Sequence, residues 1–268
     1  MIYKEFPIHP KLAPYVQLVW MMESESDQDT VPMEQIMPDG ILEFVTHYAD
    51  PWVTITAGGQ AEVQPESFVI SQMRKYIEIG PERATGMISV RFYPWGGYHF
   101  FDKPVDSFLD GMISSKDLWP LHCNDFIQNV RNAPSHEARA AFIQEFLLDR
   151  LAEYRKNSNG LDEAIKLLRK SGGQLSIEDV CRRTGFSKKQ LERKFIPAVG
   201  TTPKIFARVS RFLNICHHLE EHRDKSLTQL AHECGYFDQS HFIKEFREFS
   251  GYTPKAFFAR KNVGFADL

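Results

Sequence analysis

The run Gly235-Tyr236-Phe237-Asp238-Gln239-Ser240-His241-Phe242, followed by Phe246 and then Gly251-Tyr252-Thr253-Pro254, sets the reading of this chain because its spacing occurs twice. Residues 176–206 can be laid over residues 226–257. In the first copy Ser176-Ile177-Glu178-Asp179-Val180-Cys181 leads to Thr184-Gly185-Phe186, then to Leu191, Phe195, Gly200, Pro203 and Phe206. In the second, Ser226-Leu227-Thr228-Gln229-Leu230-Ala231 leads to Cys234-Gly235-Tyr236, then to Phe242, Phe246, Gly251, Pro254 and Phe257. The offset is 50 residues up to the glycine and 51 from the next apolar anchor, so one residue is inserted in the turn. The ordered recurrence of Gly, Phe, Gly and Pro marks a duplicated supersecondary unit.

Each copy has the parts of a helix-turn-helix, over about residues 176–200 and 226–251. Ser176 with Asp179, and Ser226 with Gln229, set an N-cap hydroxyl three residues before a side chain that reaches back to it. Gly185 and Gly235 stand where the first helix stops and the chain swings into the next, a position that favours the left-handed conformation glycine enters without strain. Ser187 with Gln190 caps the second helix of the first unit, and Asp238 that of the second. Leu191 with Phe195, and Phe242 with Phe246, are i, i+4 pairs that anchor these helices.

The faces opposite the anchors carry Lys189, Glu192 and Arg193 in the first unit, and Gln239, Ser240, Ile243, Lys244 and Arg247 in the second. Such side chains reach base edges and phosphates from a helix in the major groove. For a single helix the plainer reading is a solvated face; two matched units with matched turns favour the first. Between them Pro203 to Glu221 reads as one connecting helix, with Phe206, Val209, Leu213, Cys216 and Leu219 on its apolar stripe. Nineteen residues at about 1.5 Å each give about 28 Å, against the ~34 Å between successive major-groove turns on one face of DNA. Arg208 and Arg211 on this helix fit two readings, phosphate contact or pairing with acidic neighbours.

At these residues the sequence resembles the AraC/XylS family of bacterial transcription regulators. The run from Gly235 to Phe246 and Gly251-Tyr252-Thr253-Pro254 is close to that family's signature, and Arg211-Phe212 matches its Arg-apolar pair in the connecting helix. The resemblance covers roughly residues 161–260 and implies a DNA-binding domain of two helix-turn-helix units in adjacent major-groove segments. The DNA-contacting candidates are Lys188, Lys189, Glu192, Arg193, Arg211, Gln239, Ser240, His241, Lys244 and Arg247. The first unit departs from the pattern, with Cys181 where alanine is usual and Ile196-Pro197 expected to interrupt the end of its second helix.

The charge supports a division of the chain at Tyr154-Arg155-Lys156-Asn157-Ser158-Asn159-Gly160, a polar, turn-rich stretch between two helical patterns. The formal charge of −3 hides two unlike halves: residues 161–268 carry 19 Lys and Arg against 13 Asp and Glu, a net +6, and residues 1–160 carry 13 against 22, a net −9. A basic half beside an acidic one fits nucleic-acid contact by the former. The expected domains are therefore 1–155 and 161–260.

The first half reads as β-rich to about residue 93, with short runs at Tyr15–Glu23, Ile41–Tyr48, Trp52–Ala57, Ser67–Gln72 and Met87–Tyr93 separated by Pro-Asp-Gly, Asp-Pro, Gly-Gly and Gly-Pro. That spacing predicts a barrel or sandwich, followed after Pro104 by helices, among them His136 to Tyr154 with Ala140, Ile143, Phe146, Leu147 and Leu151 on one face. The fold class is thus α+β, a β-rich domain with flanking helices before an all-α domain. Met37 to Val45 and Val90 to Gly97 are similar to the β-rich domain of one group of AraC-type regulators. In the wider family such a domain senses a small molecule, mediates dimerisation, or does both.

Four well-separated cysteines, Cys123, Cys181, Cys216 and Cys234, form no CxxC pair and suggest neither a disulfide framework nor a thiolate zinc site. The longest apolar stretch, Leu12 to Met22, falls short of the roughly 20 residues of a spanning helix, and Met1 to Pro10 lacks the apolar core of a secretion signal. His47 and His99 are isolated, no phosphate-binding glycine loop appears at Gly96-Gly97 or Gly172-Gly173, and His217, His218, His222 and His232 read as solvated or capping residues. The expectation is a cytoplasmic, nucleoid-associated regulator, not an enzyme, without cofactor or membrane contact. Its partners are promoter DNA and RNA polymerase, with a small-molecule effector and a homodimer as the two routes of control. The rival reading is an enzyme or interaction module that uses the C-terminal domain as a tether. Phe92, Trp95, Trp20, Phe44 and Trp52 form an aromatic set that fits either a ligand pocket or plain core.

Overall fold

The computed structural model describes residues 1–24, 33–221 and 225–259. The strands are β1 (Ile2–Glu5), β2 (Val16–Glu23), β3 (Glu34–Ile36), β4 (Glu43–His47), β5 (Val53–Thr56), β6 (Ala61–Val63), β7 (Ser67–Ile70), β8 (Ile77–Gly80), β9 (Gly86–Phe92) and β10 (Met112–Ser114). They form two antiparallel sheets, one in the order β1-β2-β9-β4-β7-β10 and one in the order β3-β8-β5-β6. The sandwich half of the expectation holds, whereas a closed barrel does not form. The larger sheet ends at β1 and β10 and the smaller at β3 and β6, and helices cover the outer face of the larger.

Alternation along β4 shows how the layers are built, since successive residues of a strand point to opposite faces. Phe44 lies within 5.1 to 6.0 Å, ring centre to ring centre, of Trp119, Phe126 and Phe146. Those rings belong to the segment after α1 (Ser115–Leu118), to α2 (Cys123–Arg131) and to α3 (His136–Tyr154). Val45 faces the other way and packs with Trp52, Phe68 and Met87 between the sheets. The predicted face of α3 is buried as expected, and Ser135 caps that helix by accepting from the Ala138 amide.

Among the described residues the regular structure of the second half is all helix: α4 (Leu161–Lys170), α5 (Ile177–Thr184), α6 (Lys188–Val199), α7 (Pro203–Glu221), α8 (Leu227–Glu233), α9 (Gln239–Ser250) and α10 (Pro254–Phe258). The expected interruption at Pro197 is absent. α6 runs through it to Val199, because a proline three residues from the end removes only one helical donor, while buried Ala198 and Val199 and the Gly200 amide bonding to Ile196 hold the last turn.

Packing runs across the boundary between the halves. Phe100, Phe101 and Val105 share one core with Leu161, Ile165, Leu191, Phe195 and Phe206. A second core gathers Val209, Phe212, Phe242, Phe246 and Phe257 of the later helices around Met37 from the sheet domain. The expected Pro38-Asp39-Gly40 turn sits at this junction. Gly40 has φ +75°, and a Cβ there would lie 2.9 Å from the Phe206 ring, so the turn needs glycine both for its backbone and for the approach of α7. No helix among the described residues is long and apolar enough to cross a membrane.

Candidate nucleic-acid interface

The caps predicted from sequence are in place. Ser176 accepts from the Asp179 amide, Ser187 and Ser226 each form a reciprocal capping box with Gln190 and Gln229, and Asp238 accepts from the His241 amide at 2.7 Å. Gly185 and Gly235 take φ of +75° and +79°, turning α5 into α6 and α8 into α9. Leu191, Phe195, Phe242 and Phe246 are fully buried anchors. Their burial fixes which face of each second helix is presented outward.

On α6 that outward face carries Lys188, Lys189, Glu192 and Arg193, all exposed. Lys188 is ion-paired with Glu178 of α5, which raises the pKa of the amine and lowers that of the carboxylate. On α9 Gln239, Ser240, His241, Lys244 and Arg247 are exposed, and so is Glu248. The Gln239 amide oxygen accepts from the Thr228 hydroxyl at 3.1 Å, a link that orients its NH2 group and that sequence spacing did not reveal. Ile243 is half-buried against the second core instead of facing out. Phe237, 85% exposed in the turn just before α9, was also missed, since an aromatic beside the anchors reads as core.

Arg211 is placed differently from the rest. Its guanidinium lies 3.3 Å from the Glu245 carboxylate and 4.9 Å from the centre of the Tyr236 ring. Arg208 donates to Glu245 at 2.8 Å and to Glu248 at 2.7 Å. Of the two readings left open for these arginines, the geometry is that of acidic pairing. Glu245 itself is buried, so α7 and α9 are tied through a carboxylate removed from water. Burial raises the Tyr236 hydroxyl pKa, and the Glu245 charge adds to the rise.

The isolated histidines are packed. His47 bonds to Gln64 at 2.9 Å and stacks on Phe68, and His99 lies between Tyr15 and Tyr98. His217 and His218 are half-buried and His232 is exposed, while His222 lies outside the described residues. Among the described residues no three His, Cys, Asp or Glu side chains are grouped to hold a metal ion. Burial raises the thiol pKa of Cys123 and lifts that of Cys234 to about 11.

Behind the interface, between the two sheets, lies a cavity of about 180 Å³. Two members of the aromatic set, Trp20 and Trp52, line it. Phe44 and Phe92 belong to the main core, and Trp95 stacks on Tyr93 near the surface. Its polar end is Asp39, Glu43 and Arg91. Arg91 is ion-paired with Asp39; burial opposes its charge, yet Asp39 and Glu43 together hold its pKa above the usual value. Glu43 accepts from the Trp20 indole at 2.9 Å and from the Ser89 hydroxyl at 2.7 Å, both on Oε1. Arg169 of α4 closes the turn by donating to the Asp39 carbonyl at 2.9 Å. Met37 and Leu213 line the same cavity from the side of α7, and Gln35 of β3 donates to the Ser250 carbonyl at the end of α9 at 2.9 Å.

Residues 180–260 match a helix-turn-helix domain family, and residues 4–114 match a domain family of unknown function. The matching transcriptional activator RhaS of Escherichia fergusonii is 32% identical over 81 residues, 30% of this chain and 29% of the relative. Residues 180–260 carry a helix-turn-helix domain. RhaS of an Escherichia coli strain is 25% identical over 134 residues, 48% of each chain. The matches thus span from under a third to about half of these curated relatives. Among solved structures, ToxT from Vibrio cholerae is similar at 12% identity, with a TM-score of 0.48 over 91% of this chain and 98% of that one.

Proposed function

We propose that this chain is a sequence-specific DNA-binding transcription regulator. In this reading α6 and α9 enter neighbouring major-groove segments, and residues 1–155 control that engagement through a small-molecule effector or self-association. The observation that carries the reading is the repeated, capped helix-turn-helix whose anchors turn Lys189, Arg193, Gln239, Lys244 and Arg247 outward together. The Arg and Lys side chains are suited to guanine edges and phosphates, and Gln239 to an adenine edge. The protein acts in the cytoplasm at promoters, where it contacts RNA polymerase, and carries no catalytic duty.

Selection of bound genomic fragments with the full chain, followed by anisotropy titrations in rising salt, tests this. Enrichment of a discrete operator and a log affinity that falls linearly with log salt are expected. A protein-interaction platform would show neither, and that outcome would overturn the assignment.

A further inference from the structure

The cavity between the sheets has a composition that restricts what it can hold. Its walls are aromatic and sulfur-rich, with Trp20, Trp52 and Phe68 beside Met22, Met73 and Met87. Its charged groups are three carboxylates, Glu34, Asp39 and Glu43, against one guanidinium, Arg91. That guanidinium is ion-paired with Asp39 through Nη2, and its Nε is buried without a partner. An incoming carboxylate would therefore meet an excess of acidic oxygens around a cation already paired with Asp39. Glu43 is the reverse case: both donors it receives end on Oε1, so Oε2 retains acceptor capacity beside the N–H edge of the Trp20 indole.

A carboxylate acceptor in a partly dehydrated space walled by aromatic rings favours an ammonium group on an apolar body, the ammonium held by a charge-assisted hydrogen bond and the body by the rings. The volume limits the body. A dry cavity of roughly 150 Å³ accommodates benzene, so about 180 Å³ suits one ring with a short chain.

We infer that the inter-sheet cavity is a binding site for a small aromatic amine, its ring among Trp52, Phe68 and the methionines and its ammonium on Glu43. The inference rests on the regulator reading for its purpose, because Met37 and Leu213 bring the ligand against the connecting helix α7, yet the binding itself is independent of DNA.

The test uses the full chain without DNA and three probes of one shape: 2-phenylethylamine, 2-phenylethanol and 3-phenylpropanoate. Thermal shift, quenching of Trp20 and Trp52 fluorescence, and calorimetry should rank the amine first and the carboxylate last. Glu43→Gln keeps an oxygen for Trp20 and Ser89 but loses the charge; it should weaken the amine by about tenfold or more and leave the alcohol within a few fold. Equal or tighter binding of the carboxylate, an unchanged amine affinity in E43Q, or no binding by a series from benzylamine to 4-phenylbutylamine would each overturn the inference. Operator binding is measured separately. A protein that binds operator in a salt-dependent way but no amine disproves the ligand class alone, whereas one that binds amine but no DNA disproves the regulator reading.

Discussion

Arg208 of the connecting helix donates from Nε to the buried Glu245 of the second recognition helix at 2.8 Å, and Arg211 reaches the same carboxylate from one helical turn further on. The pair fastens α9 to α7 from beneath the face proposed to read DNA. Removing one member of a buried ion pair leaves the other charge without a partner, which costs about 3–5 kcal/mol when both are buried; with 28% of the Arg208 side chain exposed, about 1–3 kcal/mol is expected. Glu245→Ala should lower the unfolding free energy by that amount and speed amide exchange in α9. Unchanged stability would show that the brace contributes nothing.

Arg211 and Lys244 should separate by phenotype. Arg211→Ala should lower stability, because its side chain belongs to the brace. Lys244→Ala and Arg193→Ala should leave the melting temperature nearly unchanged, since both are exposed. Each should weaken operator binding by about 1–3 kcal/mol if it reads a base, or reduce the salt slope by about one if it meets a phosphate. Equal affinity of both variants and the native protein for the operator would remove them from the interface.

The caps make a smaller prediction. Ser187→Ala and Ser226→Ala each remove a hydroxyl that accepts an N3 amide, at a cost of about 1 kcal/mol. Urea titrations should show shifts in midpoint without a change in slope.

Acid should act through His47. Desolvation lowers the pKa of this buried ring, outweighing the Gln64 bond that favours its charge. The unfolded chain takes up a proton near the ordinary value of 6.5 that the folded ring resists, so the neutral ring's contribution is fully present above about pH 6.5 and is lost as pH falls below it. A wild-type advantage over His47→Gln that shrinks from pH 7.5 to 5.5, by up to about 1.4 kcal/mol per unit, is expected. A difference that stays constant with pH would refute this.

Gly40→Ala should be costly for two reasons that add: φ of +75° and the 2.9 Å approach to the Phe206 ring. About 1–2 kcal/mol from backbone strain alone is expected, read as a lower melting temperature.

The helical half was largely legible in sequence because its signals are local. Capping boxes, the Gly185 and Gly235 turns and i, i+4 anchors all act within one or two turns of helix, and they placed α7 at Pro203 to Glu221. The strands β1, β3, β6, β8 and β10 escaped because each has only three or four residues, too few to show alternation, and β3, β8 and β10 exist through partners distant in sequence. The cavity was half visible. Trp20 and Trp52 stood out as aromatics, but nothing local separates them from Phe44, which faces the opposite side of the larger sheet. Glu245 hid for the same reason, since an acidic residue on a basic helix looks solvated until the arginines of α7 are brought beside it.

The connecting helix has a further consequence for operator design. α7 contributes to both cores and is tied to α9 through Glu245, so the two helices proposed to read DNA are packed into one frame. One base pair inserted between the two contacted segments moves the second by about 3.4 Å and turns it by about 35°. A protein with a loose linker would absorb that change. Here the DNA must bend or untwist to follow, and inserting or deleting a single pair in the spacer should impair binding more than substituting a base within either contacted segment.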